Sequence, residues 1–199
     1  MEIDPDLLHR PEEPTGAGLV LTHGAGANCR SPLLLSVADQ LAARGVTVLR
    51  YDLPFRQKRP HGPPHPSGAA ADRAGLGEAV NALRELLPGP IYLGGHSYGG
   101  RQASMLAAEQ PELVSGLLLL SYPLHPPGKP EAARTAHFPD LRTKVAFVHG
   151  DRDEFGTYEE LRAALTLMPA EPFFHPIREA GHDLRRGRID PTAALNYLL

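Results

Sequence analysis

Three observations predict an α/β architecture: a mostly parallel sheet of about six strands with helices on both faces. Short apolar runs alternate along the chain with stretches whose apolar residues recur at helical spacing. One run, Gly116 to Ser121, is apolar throughout, as a strand covered on both faces must be. A third run, Ile91 to Gly94, leads straight into Gly95-His96-Ser97-Tyr98-Gly99 and then a helix-like stretch from Arg101 to Gln110.

The elements follow in order. Gly18 to Thr22 reads as a buried strand, ending at the glycine-rich loop His23-Gly24-Ala25-Gly26-Ala27. Ser31 and Pro32 open a helix to about Arg44, which Gly45 stops. Val46 to Tyr51 is β-branched and apolar, the next strand. A loop rich in proline and cations (Arg56, Lys58, Arg59) then runs from Asp52 to Pro66. Gly68 to Leu87 carries Leu76, Val80, Leu83 and Leu87 at helical spacing, and Pro88-Gly89-Pro90 ends it. After the strand at Gly116 to Ser121 comes a second proline-rich loop, Tyr122 to Arg142, and then a strand from Lys144 to Val148. Thr157 and Glu160 form a capping box for a helix to Met168. Glu171 to Ile177 is the last strand and Pro191 to Leu199 the last helix.

The 199 residues suit one domain, with residues 1–16 an extended or poorly ordered lead-in. A net charge of −3 gives no basic excess for nucleic acid. The lone Cys29 cannot form an intrachain disulfide. No run approaches membrane-spanning length, and the acidic, proline-dotted start lacks the apolar core of a signal peptide. The expectation is a cytoplasmic monomer or homodimer that binds neither membrane nor nucleic acid. With no metal-ligand spacing and no phosphate loop, no metal and no cofactor are expected.

In a parallel sheet, reactive loops cluster beyond the carboxyl ends of the strands. Ser97 stands where a strand turns sharply into a helix, and side chains at Gly95 and Gly99 would crowd that turn. A serine hydroxyl needs a base in reach and a carboxylate to orient that base. Downstream strand ends run into Gly150-Asp151-Arg152-Asp153 and Glu179-Ala180-Gly181-His182, giving the order Ser, acid, His. His182 is the candidate base. Asp153 is favoured over Asp151, whose alternative role is to shape the turn. The backbone N–H groups of Tyr98 and Ala25 are the candidate oxyanion donors. His23, Gly24, Arg101, Tyr122 and His125 are candidate substrate contacts, with His137 on the same rim loop as His125. Arg101 suits either an anionic substrate group or a salt bridge to Asp52 or Glu154, the latter slightly preferred. Arg56, Lys58 and Arg59 read as a solvated face, His96 and Cys29 as packing.

On these residues the chain resembles the α/β-hydrolase superfamily from Leu19 to Leu199. It is similar to the small hydrolases related to dienelactone hydrolase, and more narrowly to the KANL/testis-expressed-type group. The segments Leu21 to Asn28, Gly95 to Arg101, Tyr122 to Pro130 and Gly150 to Gly156 carry the likeness. The resemblance implies a three-layer fold and a Ser97–Asp153–His182 triad. The chain departs from dienelactone hydrolase in having serine where that enzyme has cysteine. It has no room for a cap domain; residues 53–66 and 122–142 are the only lid-like segments.

The functional expectation is a carboxylesterase-like serine hydrolase acting on small esters through an acyl-enzyme on Ser97. Thioester cleavage or acyl transfer by the same triad is the alternative within enzymes. A non-catalytic binding module on the same fold is the alternative outside them.

Overall fold

The computed structural model describes residues 2–185 and 189–199. Its described elements are β1 (Leu8–His9), β2 (Gly18–Thr22), α1 (Pro32–Ala42), β3 (Thr47–Tyr51), α2 (Pro54–Lys58), α3 (Ala69–Leu86), β4 (Ile91–His96), α4 (Tyr98–Glu109), β5 (Gly116–Leu120), β6 (Lys144–Gly150), α5 (Tyr158–Leu165), β7 (Phe173–Ile177) and α6 (Thr192–Leu198). The sheet order is β1-β3-β2-β4-β5-β6-β7, parallel except at β1.

The central strands β2, β3, β4 and β5 are buried nearly end to end, so they show no alternation of apolar and polar residues, and Arg50 is the one charge among them. Their side chains alternate between two cores. Leu117 and Leu119 pack with Val20, Leu93 and Phe147 beneath α3, α4 and α5. Leu118 and Leu120 face the other way, with Leu19, Leu21, Val48 and Val148 beneath α1 and α6. The result is three layers with no cap domain.

The sheet holds seven strands rather than about six. The additional one is β1, two residues that pair antiparallel with β3. The lead-in segment is held by Arg50, whose Nε donates to His9 (2.6 Å) and whose Nη atoms donate to the Cys29 and Asp6 carbonyls. Two residues carry too little pattern to be read as a strand; a cation on the neighbouring strand fixes them instead. The loop after β3 is also shorter than expected, since Pro54 opens the five-residue α2.

Chain order reverses between β2 and β4, which are neighbours although β3 intervenes in sequence. This topological switch opens a crevice at the carboxyl ends of β2 and β4. The loop from His23 and the turn at Ser97 flank it.

Candidate active site

Ser97 joins β4 to α4 with φ 51° and ψ −118°, a backbone state that non-glycine residues rarely adopt. Its neighbours explain how the turn closes. A Cβ on Gly95 would lie 2.7 Å from the Gly100 nitrogen, and one on Gly99 only 2.5 Å from the His23 carbonyl oxygen. The turn is tied to the sheet by the Ser97 amide, which donates to the Leu120 carbonyl at 2.9 Å.

Three side chains from separate loops meet at this point. Ser97 Oγ is 2.7 Å from His182 Nε2. The opposite ring nitrogen, Nδ1, lies 2.8 and 3.0 Å from the two oxygens of Asp153. With Nδ1–H donating to the carboxylate, Nε2 presents its lone pair to the serine hydroxyl. Asp153 is buried, and its Oδ1 also accepts the Phe155 amide at 2.9 Å. Asp151 does not reach His182: its amide donates to the Ile177 carbonyl, and its Oδ1 is buried without a partner.

The loops that carry acid and base are zipped together. Arg152 N donates to Ala180 O, and a Cβ on Gly150 would strike the Ala180 carbonyl at 2.4 Å. The Phe155 ring lies over His182, centroids 4.2 Å apart. His96, read as packing, does more: its Nε2–H donates to the His182 carbonyl at 2.8 Å, linking the elbow to the base. Burial pushes its pKa down to about 4, so it acts as a neutral donor.

The loop after β2 approaches Ser97 closely. A Cβ on Gly24 would meet His96 Nδ1 at 2.9 Å and Ser97 Cβ at 3.3 Å. Ala25 follows Gly24 on this loop, and Tyr98 opens α4, where first-turn N–H groups lack helical partners. Arg56 is the residue that sequence reasoning missed here. It is buried, not solvated: Nε donates to Ala27 O and Nη2 to Ala25 O, both at 2.8 Å. Lys58 and Arg59 beside it are exposed, and no local signal separates the three cations.

The candidate substrate contacts divide. His23 is fully buried, Nδ1–H donating to Gly24 O and Nε2 accepting from Leu53 N, so its ring pins two loops together. His125 is buried between Pro126 O and Glu160. The Tyr122 ring is buried, its hydroxyl donating to Arg134 O at 2.6 Å. Arg101 forms neither expected salt bridge. Asp52 instead accepts the Cys29 amide and faces His23 at 3.2 Å. The Cys29 thiol is buried and pushed up to about 12, consistent with packing.

A family model described as an alpha/beta hydrolase domain matches residues 15–197, and the chain belongs to that family. Solved structures agree on the fold. An alpha-beta serine hydrolase homologue from Coxiella burnetii superposes with a TM-score of 0.76 at 18% identity, covering 96% of this chain and 88% of its own. XC6422 from Xanthomonas campestris, described as an a/b serine hydrolase without lid, gives 0.75 at 19%, covering 96% and 85%. Est1E from Butyrivibrio proteoclasticus, with ferulic acid bound, gives 0.76 at 18%, covering 100% and 96%. Among the described residues no helix is long and apolar enough to cross a membrane.

Proposed function

We propose that this protein is a serine hydrolase that cleaves small carboxylic esters through an acyl-enzyme on Ser97. The observation that carries the reading is the unbroken hydrogen-bond chain from Ser97 Oγ through His182 to buried Asp153. Strain at Ser97 supports it, because a left-handed serine costs about 1–3 kcal/mol that a mere turn has no need to spend. The bound ferulic acid of Est1E, a carboxylic acid, belongs to the product class of ester cleavage.

In this reading Ser97 Oγ attacks the ester carbonyl as its proton passes to His182 Nε2. Asp153 holds the ring tautomer and steadies the imidazolium. The Ala25 and Tyr98 N–H groups take the developing oxyanion, helped by the positive end of α4. Collapse returns the proton to the leaving alcohol, and water then repeats the sequence on the acyl-enzyme. With no cap over the rim, small esters reach Ser97 without a lid opening.

A fluorophosphonate probe followed by peptide mapping tests the proposal. One adduct on Ser97 is expected, absent in Ser97→Ala and in His182→Ala. Turnover of p-nitrophenyl acetate should fall about 10⁴-fold or more in Ser97→Ala at unchanged melting temperature. A folded wild-type protein that takes no label, or a Ser97→Ala protein with normal turnover, overturns it.

A further inference from the structure

We propose that Arg101, with Arg134 beside it, forms an anion subsite that receives a free carboxylate on the substrate, so that the ester cleaved is a half-ester of a dicarboxylic acid. The inference rests on the reading of Ser97 as the nucleophile.

Arg101 lies one helical turn past the nucleophile, its amide donating to the Ser97 carbonyl at 2.9 Å. Helical side chains lean toward the N-terminus, here the end that carries Ser97. Its Nε is buried, and no acceptor satisfies it among the described residues. No carboxylate of the described residues comes within ion-pairing reach of Arg101 or Arg134. The nearby acids are committed elsewhere: Asp72 accepts from Tyr98 Oη and Phe55 N, and Glu109 pairs with Arg73.

The second guanidinium is held in place by the rim loop. Arg134 N donates to Leu124 O (2.7 Å) and Nη1 to Pro123 O (3.2 Å), while its own carbonyl accepts the Tyr122 hydroxyl. Tyr122 is two residues beyond Leu120, the strand residue that holds the Ser97 amide. The loop thus brings Arg134 to the same corner as Arg101, where burial first and the Arg101 charge second lower the pKa of Arg134. His137 adds no charge: with the Ser104 hydroxyl donating to Arg101 O, the Ser104 oxygen accepts His137 Nε2–H, and burial with Arg101 pushes His137 down to about 4. Two cations therefore share a half-buried corner in which no carboxylate pairs with either, Asp140 acting on His137. Burying a charge without a counter-charge is costly, and an orphaned buried donor marks where a missing partner belongs. A guanidinium fork matches a carboxylate by paired N–H···O bonds.

The test compares the mono-p-nitrophenyl ester of glutaric acid with its uncharged methyl diester. The wild-type kcat/KM should favour the anionic ester about tenfold or more, the scale of a charge-assisted hydrogen bond. Arg101→Met should reduce that ratio at least tenfold, and Arg101→Lys should restore part of it. Should Arg101→Met fail to fold, Arg134→Met should reduce the ratio in the same direction. Equal kcat/KM for the two esters in the wild type, or an unchanged ratio in the variants, overturns the subsite.

A second readout needs no turnover. Glutarate should raise the melting temperature of Ser97→Ala, and Ser97→Ala/Arg101→Met should show no rise. An equal rise with chloride at matched ionic strength counts against the subsite. If no ester is cleaved while glutarate stabilises through Arg101, the Ser97 reading falls and the carboxylate site stands. If esters are cleaved without charge discrimination, the subsite falls and the Ser97 reading stands.

Discussion

The crevice beside Ser97 has two banks, and they are built differently. On the β2–β3 bank, the buried polar side chains nearest Ser97 are spoken for, and the unpartnered Ser31 Oγ lies farther off at the start of α1. Arg56 donates to four backbone carbonyls, of Ala25, Ala27, Arg59 and Gly62. Asp72 holds Tyr98 and Phe55 N, and His23 uses both ring nitrogens. On the bank formed by α4 and the end of β5, Arg101 Nε and Ser121 Oγ are buried without partners. A saturated hydrogen-bond network fixes one geometry, whereas an under-satisfied one leaves donors for water or ligand. The first bank is thus suited to hold its backbone still, as the proposed oxyanion donors require, and the second to bind something.

If the first bank is rigid, its tightest contact cannot yield. Gly99→Ala drives a Cβ to 2.5 Å from the His23 carbonyl and 2.6 Å from Thr22 Cγ2. Neither a strand-end backbone nor a buried Thr22 has room to retreat. The expected loss is about 3 kcal/mol of stability, with probe labelling of Ser97 below detection. Urea unfolding and labelling rates check both. A variant that folds and labels normally would show that this bank gives.

Arg56→Met tests the same bank with a smaller perturbation. It keeps an apolar stem of similar length but removes the guanidinium that lies over Phe55 and the donors beneath Ala25 and Ala27. About 2 kcal/mol of stability should go with the orphaned carbonyls. The larger consequence is for the loop, which is free to drift; a misplacement near 1 Å costs about 100-fold in rate. The expectation is a fall of about 10- to 100-fold in kcat with KM nearly unchanged. A loss confined to KM would move Arg56 from brace to substrate contact.

What the sequence makes legible follows the same division. Ser97, Asp153 and His182 each fall past an apolar run in the order Ser, acid, His, which nominates the serine and histidine but leaves Asp151 beside Asp153; the fold brings Ser97, Asp153 and His182 within hydrogen-bond distance. The parallel sheet is legible because burial on both faces erases alternation, as in Gly116 to Leu120. Arg56 is not legible, because Arg56, Lys58 and Arg59 differ only in which of them meets a carbonyl some 30 residues earlier in the chain. Nor is β1, whose two residues are ordered by Arg50, 41 residues on from His9. The unpaired state of Arg101 is least legible of all, since Asp52 and Glu154 both looked available until the fold gave Asp52 to Cys29 and His23. Local patterns report backbone state and nucleophile geometry; partner choice among polar groups is decided by tertiary contacts.

The smallest expected effect probes the second bank through acid titration. His137 is pushed down to about 4, first by burial and then by the Arg101 charge, against the weaker upward pull of Asp140. In the unfolded chain a histidine titrates near 6.5. Between those values the unfolded state binds a proton that the folded state refuses, so stability falls as pH drops from about 6.5 to 4 and levels off below. His137→Gln retains an N–H donor for Ser104 and cannot titrate. The variant should therefore lose less stability than the wild type between pH 7 and pH 5, by about 1 kcal/mol after allowing for partial exposure. Urea unfolding at the two pH values measures it. Equal losses would mean that His137 accepts a proton in the folded state, which a corner already holding two unpaired guanidiniums should resist. Saturating glutarate sharpens the comparison: a carboxylate on Arg101 removes the charge that opposes His137, so the wild-type acid penalty should shrink toward that of the variant.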